Sequence, residues 1–139
     1  MKVKDVMHKG TTSVQSDTPL REIAKRMREY DIGAIPVQAN GKLVGIVTDR
    51  DITCRALANS GNVTNMTAKD VMSKKVISCS PEDDIARAIK TMKAKKVRRL
   101  PVADNSKHVV GMLSLGDVLH KVSMQRSGEM LRAVSAHHR

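Results

Sequence analysis

The chain has 139 residues, room for one ordinary domain or for two very small ones sharing a core. Hydrophobic residues make up 40 % and charged residues 28 %, the balance of a globular rather than a disordered chain, and no apolar run reaches membrane-spanning length. Lys and Arg total 25 against 14 acids, a net charge of +11 that favours anionic partners, while Tyr30 as the only aromatic disfavours recognition of single strands by base stacking.

Taken in chain order, "MKVKDVMHKG" shows no signal-peptide core, so the expected location is the cytoplasm. The residues around "KDVM" (4–7) predict a short helical turn, followed by a strand near 12–15. Thr18 is expected to cap a helix with Pro19 at its first position and Leu20, Ile23, Ala24 and Met27 on one face. "AIPVQ" and "LVGIV" read as two strands joined at Asn40-Gly41, a strong hairpin signal. A helix should start at Thr48, carrying Ile52, Arg55, Ala56 and Leu57. The stretch 57–68 is polar and reads as a connector.

The same pattern then returns. "KDVM" recurs at 69–72, a spacing of 65, at which Ser13 matches Ser78, Met27 matches Met92 and Pro36-Val37 matches Pro101-Val102. One extra residue enters within "ADNSKHVVG", after which Gly45 matches Gly111, Thr48 matches Ser114 and Asp51 matches Asp117. A strand near 76–79, a helix introduced by Ser80-Pro81 with Ile85, Ala88, Ile89 and Met92 inward, strands "RLPVA" and "VVGML", and a helix from Ser114 with Val118, Leu119 and Val122 complete the second copy. The fold class is therefore α/β (α+β), two β-α-β-β-α repeats: 1–60 the first, 61–68 the connector, 69–123 the second, and 124–139 a C-terminal tail or short helix that Ser127 would cap. Each unit alone is too small to bury a sufficient core, so the two are expected to pack together.

Thr48-x-x-Asp51 and Ser114-x-x-Asp117 fit a capping box, in which hydroxyl and carboxylate each accept one otherwise unpaired backbone N–H. They also fit ligand contact, and one residue can do both. The ordered set "KDVM … IPV … VGIVTDRD" and "KDVM … S-P-E-D … LPV … VGMLSLGD", spanning roughly 1–123, resembles a tandem pair of cystathionine-β-synthase (CBS) domains, the Bateman module, in its small stand-alone prokaryotic form.

The resemblance implies two repeats packed with pseudo-twofold symmetry and a regulatory rather than catalytic role. It implies an adenosine-type ligand (AMP, ADP, ATP or S-adenosylmethionine) in two clefts and no required cofactor. It also implies a disc-like homodimer acting on a protein target. Carried over, one cleft combines Thr48, Arg50 and Asp51 with Ser78, Val97, Arg98, Arg99, Leu100 and Pro101. The other combines Ser114 and Asp117 with Ser13, Ile32, Gly33, Ala34, Ile35 and Pro36. In this pattern the acid accepts the ribose hydroxyls, as one carboxylate does in dinucleotide folds.

The residues themselves make the clefts unequal. Gly33-Ala34 stands where the second repeat has Arg98-Arg99, and Leu115-Gly116 where the first has Asp49-Arg50. Arginine engages phosphate with a planar fork, so the Asp51 cleft is expected to take a phosphorylated adenosine. The Asp117 cleft is expected to be weak, empty or filled by a less charged adenosyl compound. The run 87–99, with seven basic residues and no acid, is open between a solvated helix face and a capture surface.

Cys54 and Cys79 read as reduced thiols lining the core or a cleft, without a nearby base that would make either a nucleophile. No Walker loop or HExxH is present, the histidines (His137-His138 included) lack metal-ligand spacing, and no enzyme activity is expected. Two rival readings share the composition: a basic nucleic-acid-associated protein, and a ligand-free structural dimer of stress response.

Overall fold

The first "KDVM" forms a single 3₁₀ turn (Val3–Asp5) and leads into β1 (His8–Lys9). After β2 (Val14–Gln15) comes α1 (Leu20–Tyr30), then β3 (Ala34–Ala39) and β4 (Lys42–Thr48). The β3–β4 turn is held by Asn40 and Gly41 at φ 53° and 76°, the positive angles whose twist matches a two-residue hairpin. Next are α2 (Asp49–Asp51), which continues as a π-helical turn over Ile52–Leu57, and α3 (Ala68–Val71). The second copy supplies α4 (Ile85–Lys95), β5 (Arg99–Ala103), β6 (Val109–Ser114) and α5 (Leu115–Leu119), and α6 (Met124–Ser135) follows it. This computed structural model describes residues 1–59 and 62–135.

Several local expectations need correction. Pro19, not Thr18, is the N-cap of α1; the Thr18 hydroxyl instead accepts from the Gln15 N–H at 3.0 Å and closes the turn before the helix. In the second copy Ser80-Pro81 forms a turn, and the helix waits for Asp84, whose carboxylate accepts from the Ala86 N–H at 2.8 Å. Near 76–79 no strand forms, only an isolated parallel bridge from Cys79 to Val102. Ser127 lies inside α6, and the hydroxyl that accepts from its first turn is that of Ser123, 3.3 Å from the Arg126 N–H. Ala24 is exposed, while Leu20, Ile23 and Met27 are buried as the helical spacing requires.

Two compact units result, and they are not the two sequence repeats. One contains Thr12–Val76 and Lys107–Val109. Its sheet has the order β2-β3-β4, with β2 parallel and β4 antiparallel to β3, and Val14, Ile23, Ile35, Val37, Val47 and Val71 pack its core. The other contains Met1–Thr11, Ile77–Ser106 and Val110–Arg139. Its sheet has the order β1-β6-β5, and its core gathers Val3, Ile89, Met92, Leu100, Leu113, Val118 and Met130.

Each "KDVM" segment therefore joins the sheet of the other repeat. His8 pairs with Met112 in one unit, and Ser73 bridges Ile46 in the other. The glycine of each "VG" strand is what lets the segment approach. A Cβ on Gly111 would stand 2.5 Å from the His8 carbonyl oxygen, and one on Gly45 would stand 2.5 Å from Met72 Sδ.

Candidate functional site

Both T/S-x-x-D motifs fold as complete capping boxes. Thr48 Oγ1 accepts from the Asp51 N–H at 3.1 Å, and Asp51 Oδ2 accepts from the Thr48 N–H at 2.9 Å. Ser114 and Asp117 repeat this at 3.1 and 3.0 Å. The cap uses only Oδ2 of each carboxylate. The second oxygen remains, which gives each acid one anionic acceptor beyond its structural duty.

The two acids differ in what surrounds that oxygen. Asp51 is the only buried charged residue among the described residues, at 9 % exposure. Its Oδ1 faces Arg55 Nε at 3.6 Å, too long for a hydrogen bond but within ion-pair range. Arg55 is itself tied down, because its Nη1 donates to the Val71 carbonyl at 3.0 Å and to Ser73 Oγ at 3.2 Å. The π-helical turn that carries Arg55 begins directly after Asp51. Asp117 is half-buried, and an exposed Lys121 stands where the repeat would place the partner of Arg55. Sequence reasoning placed Arg55 only on a helix face; its i,i+4 spacing from Asp51 was the available signal.

The remaining predicted residues sort by burial. Each proline-led strand is anchored at its entrance to the helix start of its own repeat: the Asp49 N–H donates to the Gly33 carbonyl at 3.0 Å, and the Leu115 N–H to the Arg98 carbonyl at 2.7 Å. Arg50, Arg98, Arg99 and Ser78 are exposed, with Val97, Ile32 and Gly33 half-buried. Ala34, Ile35, Pro36, Leu100 and Pro101 are buried, with Ile35 and Leu100 fully enclosed in the cores of their units. Ala34, Ile35, Pro36, Leu100 and Pro101 carry no polar side-chain group for a ligand. Ser13 Oγ accepts from Gln38 Nε2 at 2.7 Å, and the Ser13 carbonyl accepts from Arg26 Nη1 at 3.2 Å.

Cys54 is exposed, contrary to the expectation of a core position. Cys79 is buried, and burial pushes its thiol up to about 12, with Asp83 adding to the shift. No group of three or more His, Cys, Asp or Glu side chains among the described residues is arranged to hold a metal ion, and His137-His138 lies outside them. No described helix is long and apolar enough to cross a membrane. A groove of about 630 Å³ between α4 and α6, lined by Ile89, Lys90, Lys93, Arg126 and Glu129 among others, contains none of the predicted site residues.

Against known proteins, the model of the family described as CBS domain matches residues 3–56 and again 68–124. The CBS domain-containing protein YhcV of Bacillus subtilis (strain 168) is 34 % identical over 96 % of this chain and 94 % of its own length. Among solved structures, Hypoxic Response Protein I, crystallised with two coordinated zinc ions, superposes with a TM-score of 0.79 at 29 % identity, covering 88 % of this chain and 99 % of that one. The CBS domain pair of protein MJ0100, in complex with 5′-methylthioadenosine and S-adenosyl-L-methionine, gives 0.76 at 28 % identity over 86 % and 94 % of the two chains.

Proposed function

Because the chain belongs to the CBS domain family and carries two copies of the domain, we propose that it is a regulatory module, not an enzyme, that binds an adenosyl ligand. The ligand class is AMP, ADP, ATP or S-adenosylmethionine, and no other cofactor is required. The observation that carries this reading is the state of Asp51: nearly enclosed, fixed by its cap through Oδ2, and left with one acceptor oxygen. A fixed carboxylate oxygen suits a vicinal diol, the chemical feature of ribose. The adenosyl compounds in the MJ0100 complex support the same class.

Asp51 and Asp117 are the proposed ribose acceptors, beside Thr48 and Ser114. Arg50, Arg98 and Arg99 are exposed and are the proposed phosphate contacts for the ligand of Asp51. Leu115 and Gly116 offer no such charge, so the ligand of Asp117 is the less charged one or none. The module works as a cytoplasmic homodimer whose ligand shifts a conformational equilibrium read by a protein target. The size of the shift is set by the ligand's preference between the two states.

A thermal-shift panel of AMP, ADP, ATP, S-adenosylmethionine and NAD tests the reading, since selective binding to the native state raises apparent stability. At least one adenosyl compound should raise the melting temperature, and Asp51→Asn should remove most of that rise. No shift with any adenosyl compound would refute the reading.

The net charge and the exposed Lys90, Lys95 and Lys96 of the 87–99 run favour a second reading, nucleic-acid association. Its signature is a steep fall of log K with log salt for duplex DNA, which an enclosed ribose site would not show.

A further inference from the structure

Asp51 and Asp117 make the same cap, yet only Asp51 has its second oxygen faced by a guanidinium that is itself held in place. Arg55 spans three points: Asp51 Oδ1 at 3.6 Å, the Val71 carbonyl at 3.0 Å and Ser73 Oγ at 3.2 Å. Two of these lie on and just after α3, so the arginine ties the acid-bearing turn to a separate element. The backbone between acid and arginine is also specialised. The chain leaves α-helical geometry after Asp51, and the π register closes with the Ala58 N–H on the Thr53 carbonyl at 3.1 Å. Such turns widen a helix locally and are frequent at functional sites.

An Nε–Oδ1 separation of 3.6 Å holds the orientation of the carboxylate without using its lone pairs in a close hydrogen bond. We propose that Arg55 is a positioning residue that aims Asp51 Oδ1 at a ligand's ribose diol and so sets discrimination between ribo- and deoxyribo-ligands at the first acid. The inference rests on the reading of Asp51 as a ribose acceptor. Lysine replaces the arginine only in part, because an ammonium in the place of Nη1 leaves no second nitrogen in the place of Nε to face Asp51. The second repeat, with exposed Lys121 at the corresponding position, lacks the brace and is expected to discriminate less.

The test uses the full chain carrying Asp117→Asn, so that one acid reports. Calorimetric titrations with AMP and 5′-methylthioadenosine, and with the 2′-deoxy form of each, are run well below the melting temperature for Arg55, Arg55→Lys and Arg55→Met. With Arg55 present, the ribo-ligands should bind about tenfold more tightly than their 2′-deoxy forms, the scale of one hydrogen bond to a charged group. Arg55→Met should erase that ratio by weakening the ribo-ligands alone, and Arg55→Lys should fall between.

If Arg55→Met lowers the melting temperature but keeps the ratio, or weakens both forms equally, the arginine is merely structural and the inference fails. If the protein with Arg55 binds no adenosyl compound while still folded, the proposed function fails and takes the inference with it.

Discussion

Met7 lies over Gly111: a Cβ at Gly111 would come within 2.8 Å of Met7 Sδ and 2.5 Å of the His8 carbonyl oxygen. Gly45 stands in the corresponding relation to Met72, but there the nearest atoms belong to the flexible methionine, and the closest backbone atom, the Ser73 carbonyl oxygen, is 3.1 Å away. A methionine can move aside; a strand carbonyl in a β-pair cannot without breaking register. Gly111→Ala should therefore cost about 2–3 kcal/mol and Gly45→Ala about 1 kcal/mol, within the range of overpacking changes. Chemical denaturation of the two variants checks the order, and equal costs would contradict the difference in contacts.

Val3 has no exposed surface and belongs to the core that contains Leu100, Leu113 and Met130. Its main-chain N–H also donates to the Asp83 carbonyl at 2.9 Å. Val3→Ala should lower stability by about 2 kcal/mol, two buried methyl groups at about 0.8 kcal/mol each together with the cavity they leave. Removal of residues 1–9 should cost considerably more, because β1 leaves the edge of its sheet with the valine. Hydrogen exchange should then show lost protection in β6, the strand that β1 pairs with.

The two thiols should react at very different rates. Cys54 is exposed and Cys79 is buried with its thiol raised to about 12, so a disulfide reagent at pH 8 should modify one thiol in the folded protein and both after denaturation. The raised value also has a sign for stability. Between the ordinary value of 9.0 and about 12 the unfolded chain releases the Cys79 proton while the folded chain keeps it, so stability falls as pH rises through that window. Cys79→Ser should remove this part of the alkaline loss, as alkaline denaturation midpoints would show.

Thr48→Ala and Ser114→Ala each remove one cap acceptor, and each should cost about 1 kcal/mol, the usual value for an N-cap. On the proposed function the two differ in binding: Thr48→Ala loosens Asp51 and weakens the phosphorylated ligand, while Ser114→Ala leaves that ligand's affinity unchanged. Equal loss of affinity in both would contradict the assignment of Asp51 to the phosphorylated compound.

What the residues alone determined is the local grammar. Asn40-Gly41, the inward faces of α1 and α4, and both capping boxes follow from spacing within about four residues, and the β3–β4 pairing follows from the tight turn that joins the two strands, where chain geometry leaves few choices. The duplication itself was legible because "KDVM" and the T/S-x-x-D motifs recur at nearly constant spacing.

Helix starts were less legible. Thr18-Pro19 and Ser80-Pro81 carry the chemistry of helix N-termini, yet both hydroxyls satisfy a preceding turn. A turn and a cap ask for the same side chain, and only the surrounding fold chooses between them.

Tertiary structure decided three further matters: that each "KDVM" segment packs with the opposite repeat, that Cys54 faces outward, and that Arg55, held by the Val71 carbonyl and Ser73 Oγ, faces Asp51 while no described residue stands in that relation to Asp117. All three depend on which distant backbone closes over a given side chain. In a duplicated sequence the two repeats offer nearly identical partners, so pattern cannot choose between them, and packing of the whole chain does.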